Sequence, residues 1–251
     1  MKPSKNIRWP RLTRAGCANF SSLKRKKNEK RAYGPTSKIE AEDLPRIYHK
    51  LRKTFGHQSW WPAETPFEVM IGAILTQNTS WTNVEKAIAN LRKAGLLSFS
   101  KMKKLSHGQL ARMIRPAGYY NVKADRIRSF LRFFQLEYQG SVLKMRREDL
   151  PTAREKLLRV KGIGPETADS ILLYALGKPT FVIDAYTRRI FSRHRLAKAD
   201  NSYDEWKGIF EKALPAKTPL FNDYHAQIVR LAKEFCRTRP RCEGCPLGDA
   251  T

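Results

Sequence analysis

The sequence predicts an all-α protein. Three observations carry that expectation. Apolar residues recur at three- and four-residue spacing from Glu40 onward. Ser or Thr followed three residues later by Glu stands directly ahead of two such runs. Period-2 alternation is almost absent, and Thr180–Ile183 is the single strand-like stretch. Roughly ten helices are expected over this length.

The elements follow in chain order. Val69 to Leu75 is an unbroken apolar run that reads as a buried helix. Val84, Ala87, Ile88 and Leu91 mark one helical face, and Gly95 supplies its stop. Ala124, Ile127, Leu131, Phe134 and Tyr138 mark the next, with Asn121 expected at its N-cap. Thr152 and Glu155 form a capping box before Leu157 and Leu158, and Ser202 with Glu205 repeats it before Trp206, Ile209 and Phe210. Tyr224, Ile228, Leu231 and Phe235 line a last helix. No internal repeat is visible. Residues 1–40 stand apart: residues 1–32 hold eleven Lys or Arg against one acid, Glu29, and no apolar period. This segment reads as a disordered basic arm that adds affinity for a polyanion. Cys17 lies in it alone.

Charge narrows the class of function. The chain has 49 Lys and Arg against 23 Asp and Glu, a net charge of +26 over 251 residues. Such a surplus makes a polyanion the expected partner, with nucleic acid ahead of an acidic membrane surface. No apolar run approaches the ~20 residues that cross a bilayer, so no membrane partner is expected. The start has no apolar h-region, which argues against a secretory signal, and its lysine clusters fit a mitochondrial presequence poorly. The expected location is intracellular: cytoplasm or nucleoid in a bacterium, nucleus or mitochondrion in a eukaryote. Four Cys in such a chain do not form a disulfide framework, and three of them cluster near the C-terminus, as metal ligands do.

The most informative stretch runs from Leu157 to Arg193. Leu157, Leu158 and Val160 end one helix, Lys161-Gly162-Ile163-Gly164 follows, and Thr167, Ala168, Ile171, Leu172 and Ala175 resume helical spacing. A tight Gly-x-Gly turn therefore joins two helices, with Ile163 free to plug the core. The amides of Gly162 to Glu166 then open a helix, where the dipole favours an anion such as a DNA phosphate. A dinucleotide fingerprint would need a preceding strand and a third Gly. A phosphate-binding P-loop would need a Gly at Leu172 and no Pro179 after Lys178.

From about Ile47 to Cys245 the chain resembles the helix-hairpin-helix base-excision glycosylases of the endonuclease III superfamily. Within it, the 3-methyladenine DNA glycosylase III and endonuclease III-related branch looks nearest. The resemblance rests on Trp60-Trp61-Pro62, the run from Pro66 to Leu91, Gly118 to Ile127, Val160 to Ile171, Val182 to Tyr186, and the terminal Cys group. It implies two helical subdomains with a DNA-binding cleft between them. Residues 67–178 would form a six-helix barrel bearing the helix-hairpin-helix at about 152–176. Residues 41–66 and 179–251 would form a discontinuous second subdomain that ends in a Cys-rich loop. A monomer acting on double-stranded DNA with a damaged base is the expected form.

The resemblance also implies roles. Asp184 becomes the catalytic aspartate. A fixed anion would stabilise the oxocarbenium-like sugar left when the base departs, and would orient the attacking water. On its own Asp184 reads more readily as the N-cap of a helix from Ala185, and the motif context reverses that preference. Members that also cleave the strand carry a lysine two residues after the second hairpin Gly, where this chain has Glu166, which forms no imine. A monofunctional enzyme that leaves an abasic site is expected, with AP lyase activity absent. Lys161 and Lys178 read as phosphate contacts or exposed side chains. The DNA-binding set is Gln77, Asn78, Lys161, Gly162, Ile163, Gly164, Glu166 and Thr167, with Gln77 filling the gap left by the flipped base. Trp60, Trp61 and Trp81 stand where the branch carries base-pocket aromatics, which favour a cationic alkylated purine such as 3-methyladenine. Core packing is the alternative for all three. Cys236, Cys242 and Cys245 match three of four ligands to a [4Fe–4S] cluster. Thr251 stands at the fourth, which leaves both a cluster and no cofactor open. Two other functions stay in view: a glycosylase for oxidised or mismatched pyrimidines, and a non-catalytic helix-hairpin-helix DNA-binding protein.

Overall fold

The computed structural model describes residues 38–248; the basic arm up to residue 37, Cys17 within it, and Thr251 lie outside them. Among the described residues every regular element is helical. Twelve α-helices run in order: α1 Leu44–Phe55, α2 Pro66–Leu75, α3 Trp81–Lys93, α4 Phe99–Met102, α5 His107–Met113, α6 Tyr120–Tyr138, α7 Val142–Arg147, α8 Leu150–Leu158, α9 Pro165–Ser170, α10 Ala185–Arg193, α11 Tyr203–Ala213 and α12 Thr218–Glu234. A π-helical turn, Ile171–Ala175, continues α9. None of these helices is long and apolar enough to cross a membrane.

Local chemistry explains the helix ends and corrects three expectations. Ser202 and Glu205 do form a capping box, each side chain taking the other's backbone N–H. Gly95, at φ 65°, follows the last turn of α3. Thr152, by contrast, lies inside α8. Asp149 caps that helix, accepting from the Thr152 amide at 2.9 Å, because an acid followed by Leu150-Pro151 makes an earlier start. Asn121 is likewise already helical. Gly118 and Tyr119 both take positive φ, 69° and 44°, and that turn delivers the chain into α6 at Tyr120. Thr180–Ile183 pairs with no strand. It is a buried connector whose Thr180 hydroxyl and Phe181 amide donate to Asp169 or Glu211 carboxylates.

Two apolar cores result. Residues between Phe67 and Leu176 build the first, around Met70, Ile74, Val84, Leu91, Ile127, Phe130, Phe134 and Leu172. The flanking segments build the second, around Leu44, Leu51, Phe191, Trp206, Tyr224 and Leu231. Phe181 and Phe210 stack in it at 4.4 Å between centroids. Both rings are wholly buried, so truncating either would cost about 3–5 kcal/mol. Tyr174, on the π-helical turn, packs against both cores.

Candidate active site

A cleft of about 680 Å³ opens where the two cores meet, and α2, α3, the hairpin, α10 and α12 all contribute to its walls. The hairpin is α8, the turn Val160–Gly164, and α9. Gly162 sits at φ 89°, and a Cβ there would lie 2.3 Å from Cγ of Arg126. Both the backbone angle and the close approach of α6 therefore require glycine. Ile163 is buried and anchors the turn. Arg154 of α8 grips the buried Asp169 of α9 at 2.9 Å and Asp204 of α11 at 2.6 Å, which ties the hairpin to the second core.

Asp184 ends the connector from Thr180. Its Oδ1 accepts from the Thr187 amide at 2.7 Å and the Thr187 hydroxyl at 2.9 Å, so it caps α10. Its Oδ2 faces Nε2 of His225 on α12 at 3.5 Å. Nδ1 of that ring lies 2.6 Å from the Tyr174 hydroxyl. Burial keeps Tyr174 a phenol well above its ordinary range, with the charges of Asp184 and Glu166 adding to the effect. Burial also pushes the Asp184 carboxyl up, but His225 and the two Thr187 donors outweigh it and hold Asp184 below its ordinary value. Capping and cleft-facing roles thus coexist in one side chain.

Glu166 lies in the first turn of α9 and lines the same cleft. Its side chain is open to the solvent of the cleft, yet the walls around it desolvate the charge. That desolvation, joined by the nearby charge of Asp184 and opposed by His225 and Arg188, pushes its carboxyl up to about 7. Two carboxyls in one cleft are therefore driven in opposite directions.

The three tryptophans meet in the wall of the same cleft. Trp60 and Trp61 lie 5.0 Å apart by ring centroid, Trp60 and Trp81 5.0 Å, and Trp61 and Trp81 5.2 Å with near-perpendicular planes. Trp61 also packs on Tyr174 at 5.2 Å and leans on the bare backbone of Gly72. All three are half-buried. The indole N–H groups of Trp60 and Trp81 are buried and have no hydrogen-bond partner among the described residues. The loop bearing Trp60 and Trp61 is positioned by the buried Asp223 of α12, which accepts from the Gln58 amide at 3.0 Å and the Tyr48 hydroxyl at 3.0 Å and lies 2.8 Å from His57.

Gln77 and Asn78 reach the cleft from the end of α2. The Gln77 amide is fully engaged: Nε2 donates to the Gly162 carbonyl at 3.0 Å and to Thr167 Oγ1 at 2.9 Å, and Oε1 accepts from Arg126. Gln77 enters a gap in DNA only by releasing the hairpin. Asn78 is exposed and takes φ 51°, which Asn tolerates. Lys161 is exposed on the hairpin. Lys178 donates to the carbonyls of Arg146 and Glu148, away from the cleft. Sequence reasoning missed Tyr174, His225, Arg126, Arg188 and Lys233, all of which line the cleft. For Arg126 a signal existed, since it lies inside the matching Gly118–Ile127 run; a lone His or Tyr on an apolar helix carries none. Buried Lys123 of that run donates to the carbonyls of Leu75 and Ala117 at 2.9 and 2.7 Å, fixing the end of α2 that bears Gln77.

Cys236, Cys242 and Cys245 line one small cavity beside α10 and α12, about 190 Å³ in volume. Burial, the proximity of the other two cysteines contributing, pushes the Cys245 thiol up. Among the described residues no three His, Cys, Asp or Glu converge on a single metal ion. Arginines hold the loop instead. Arg193 donates to the Cys236 sulfur at 3.2 Å and to the carbonyls of Arg237 and Thr238 at 2.7 and 2.9 Å, and Arg189 donates to the Cys236 carbonyl at 2.8 Å. With Thr251 at the fourth place, the donor set does not fit a four-thiolate cluster.

Comparison with known proteins gives the site a family context. Residues 71–216 match the HhH-GPD superfamily of base excision DNA repair proteins. MJ1434 of Methanocaldococcus jannaschii, named by inference a DNA repair glycosylase, is 48% identical over 208 residues, covering 82% of this chain and 94% of that protein. The 3-methyladenine DNA glycosylase of H. pylori, solved with 1,N6-ethenoadenine bound, is 30% identical with a TM-score of 0.67, over 78% of this chain and 98% of that one. An endonuclease III–DNA complex shares the fold at a TM-score of 0.71 and 21% identity, over 83% and 94%.

Proposed function

The chain belongs to the HhH-GPD superfamily of base excision DNA repair proteins, and from that premise we propose that it is a monofunctional DNA glycosylase that hydrolyses the bond between a damaged purine and its sugar. Membership makes it a DNA repair glycosylase. One observation carries the proposal: an Asp184 carboxylate held below its ordinary range lines the same cleft as three clustered tryptophans. Trp60, Trp61 and Trp81 line the cleft and would stack on a flipped base. Asp184 would stabilise the cationic sugar and orient water against it. The +26 charge and the hairpin would hold the phosphates, so binding would weaken steeply with salt.

Hydrolysis without strand cleavage follows from Glu166 at the place where a lysine would form an imine. Lys233 also lines the cleft, and burial lowers its ammonium below the ordinary value. Borohydride trapping on an abasic product therefore tests the whole cleft, not one position. No covalent adduct is expected, and an adduct would overturn the monofunctional reading. Excision measured on duplexes with 3-methyladenine, 7-methylguanine, hypoxanthine, uracil, thymine glycol or a G·T mismatch tests the lesion. Alkylated purines should lead; release confined to thymine glycol or the mismatch would move the protein to the pyrimidine-specific reading. No step is assigned to the cysteine loop.

A further inference from the structure

We propose that Glu166 is the acid of the cleft, handing its carboxyl proton to the departing base while Asp184 faces the sugar, so that the protein excises uncharged purines as well as cationic alkylated ones. The inference rests on the glycosylase reading above. It adds a catalytic residue and a substrate class.

Geometry places the two carboxyls for different work. Asp184 is anchored by Thr187 and by His225, and its orientation is fixed. Glu166 has no hydrogen-bond or ion-pair partner among the described residues, although the chain has more than two cations for each acid. The charged and titratable groups around it come from four elements. Asp184 caps α10 and Arg188 stands on it, with His225 on α12, Tyr174 on the π-helical turn and Tyr203 at the start of α11. Arg188 makes no ion pair with Glu166; its guanidinium donates to the Asn201 carbonyl at 2.6 Å, and its charge opposes the upward push without overcoming it. Glu166 therefore stays a carboxylic acid up to about pH 7, while Asp184 is a carboxylate. Two carboxyls whose environments push their titrations apart are an acid and a base.

The chemistry explains what such an acid adds. A cationic base leaves as a neutral molecule and needs no proton. An uncharged purine would leave as an anion unless a ring nitrogen is protonated first. In the proposed step the Glu166 proton goes to that nitrogen, and the bonding pair of the N-glycosidic bond stays with the base. A water oxygen bonds to the anomeric carbon. The proton shed by that water returns to the carboxyl pair, restoring Glu166. The net change is water plus nucleotide giving free base plus abasic site.

The test uses two duplexes, one with 1,N6-ethenoadenine, which is uncharged, and one with 7-methylguanine, which is cationic. Single-turnover excision is measured from pH 5 to 9 for the wild type, Glu166→Gln and Asp184→Asn. The wild type should release both bases, with the ethenoadenine rate falling as pH rises above about 7. Glu166→Gln should lower the ethenoadenine rate about a hundredfold more than the 7-methylguanine rate, the scale of one general acid, and should flatten that alkaline fall. Equal losses on both substrates, or none, would overturn the inference. So would a wild type that releases only 7-methylguanine, an outcome that leaves the hydrolytic reading standing. An Asp184→Asn protein that still releases both bases would instead sink the hydrolytic reading itself.

Discussion

The cleft and the cysteine loop are both motifs in the sequence, and they fare differently in the structure. In the cleft the hairpin turn and the aspartate are held by their surroundings. Gly162 accepts the close approach of Arg126, Ile163 enters the core, and Asp184 is fixed by Thr187 and His225. In the loop one ligand position of the motif is not a cysteine. Three cysteines share a cavity, a threonine stands at the fourth place, and arginine-to-carbonyl bonds do the holding. The contrast teaches where a motif can be trusted. Residues required by backbone geometry and by fixed charge keep their meaning in a single chain. Residues whose only partner is a cofactor keep it only when the donor set is whole.

The contrast can be sharpened by substitution. Trp81→Ala should reduce excision about ten- to a hundredfold, the 1–3 kcal/mol of one base stacked on an aromatic ring, with little change in affinity for undamaged duplex. Parallel losses in both assays would assign the indole cluster to packing. Gly162→Ala should destabilise the fold by about 2 kcal/mol, since a methyl would strike Arg126 at a positive φ. Urea unfolding at unchanged m-value reads that directly, and a wild-type midpoint would show that the turn has slack.

How much of this was legible beforehand depends on the kind of residue. Helical class, the Gly-x-Gly turn and the Ser202 cap were visible because they obey local rules. Asp184 was visible as a cap by spacing alone, and as an active-site carboxylate only by resemblance. The Tyr174–His225 pair was not visible. It joins residues 51 positions apart whose meaning arises only where α12 crosses the π-helical turn. The starts of α6 and α8 were misplaced by two and three residues, because Gly118-Tyr119 and Asp149-Leu150-Pro151 are stronger local signals than the caps expected. Gln77 was expected to enter DNA, and its bonds to Gly162, Thr167 and Arg126 are a tertiary fact that sequence order does not show.

Smaller effects refine the same contrast. Asp184 is held low in part by His225. Removing that neighbour in His225→Gln should raise the Asp184 pKa, so activity is lost at a higher pH on the acid side. The variant should lose severalfold at pH 5 and little at pH 8; a uniform loss across pH would mean His225 serves only packing. Cys236→Ser should change excision less than twofold, and Arg193→Ala should lower stability by about 1 kcal/mol through lost bonds to the loop carbonyls. Collapse of the fold on changing any one of the three cysteines would show that a bound group, not arginine, holds the loop.

The most direct test is single-turnover excision by Asp184→Asn, with affinity for lesion duplex measured on the same preparation. Asn keeps the cap on α10 and removes only the charge. Stabilisation of the cationic sugar by that charge predicts a rate loss of about 10²–10³ with binding intact. Excision at the wild-type rate would show that the anion in the cleft is not what breaks the bond.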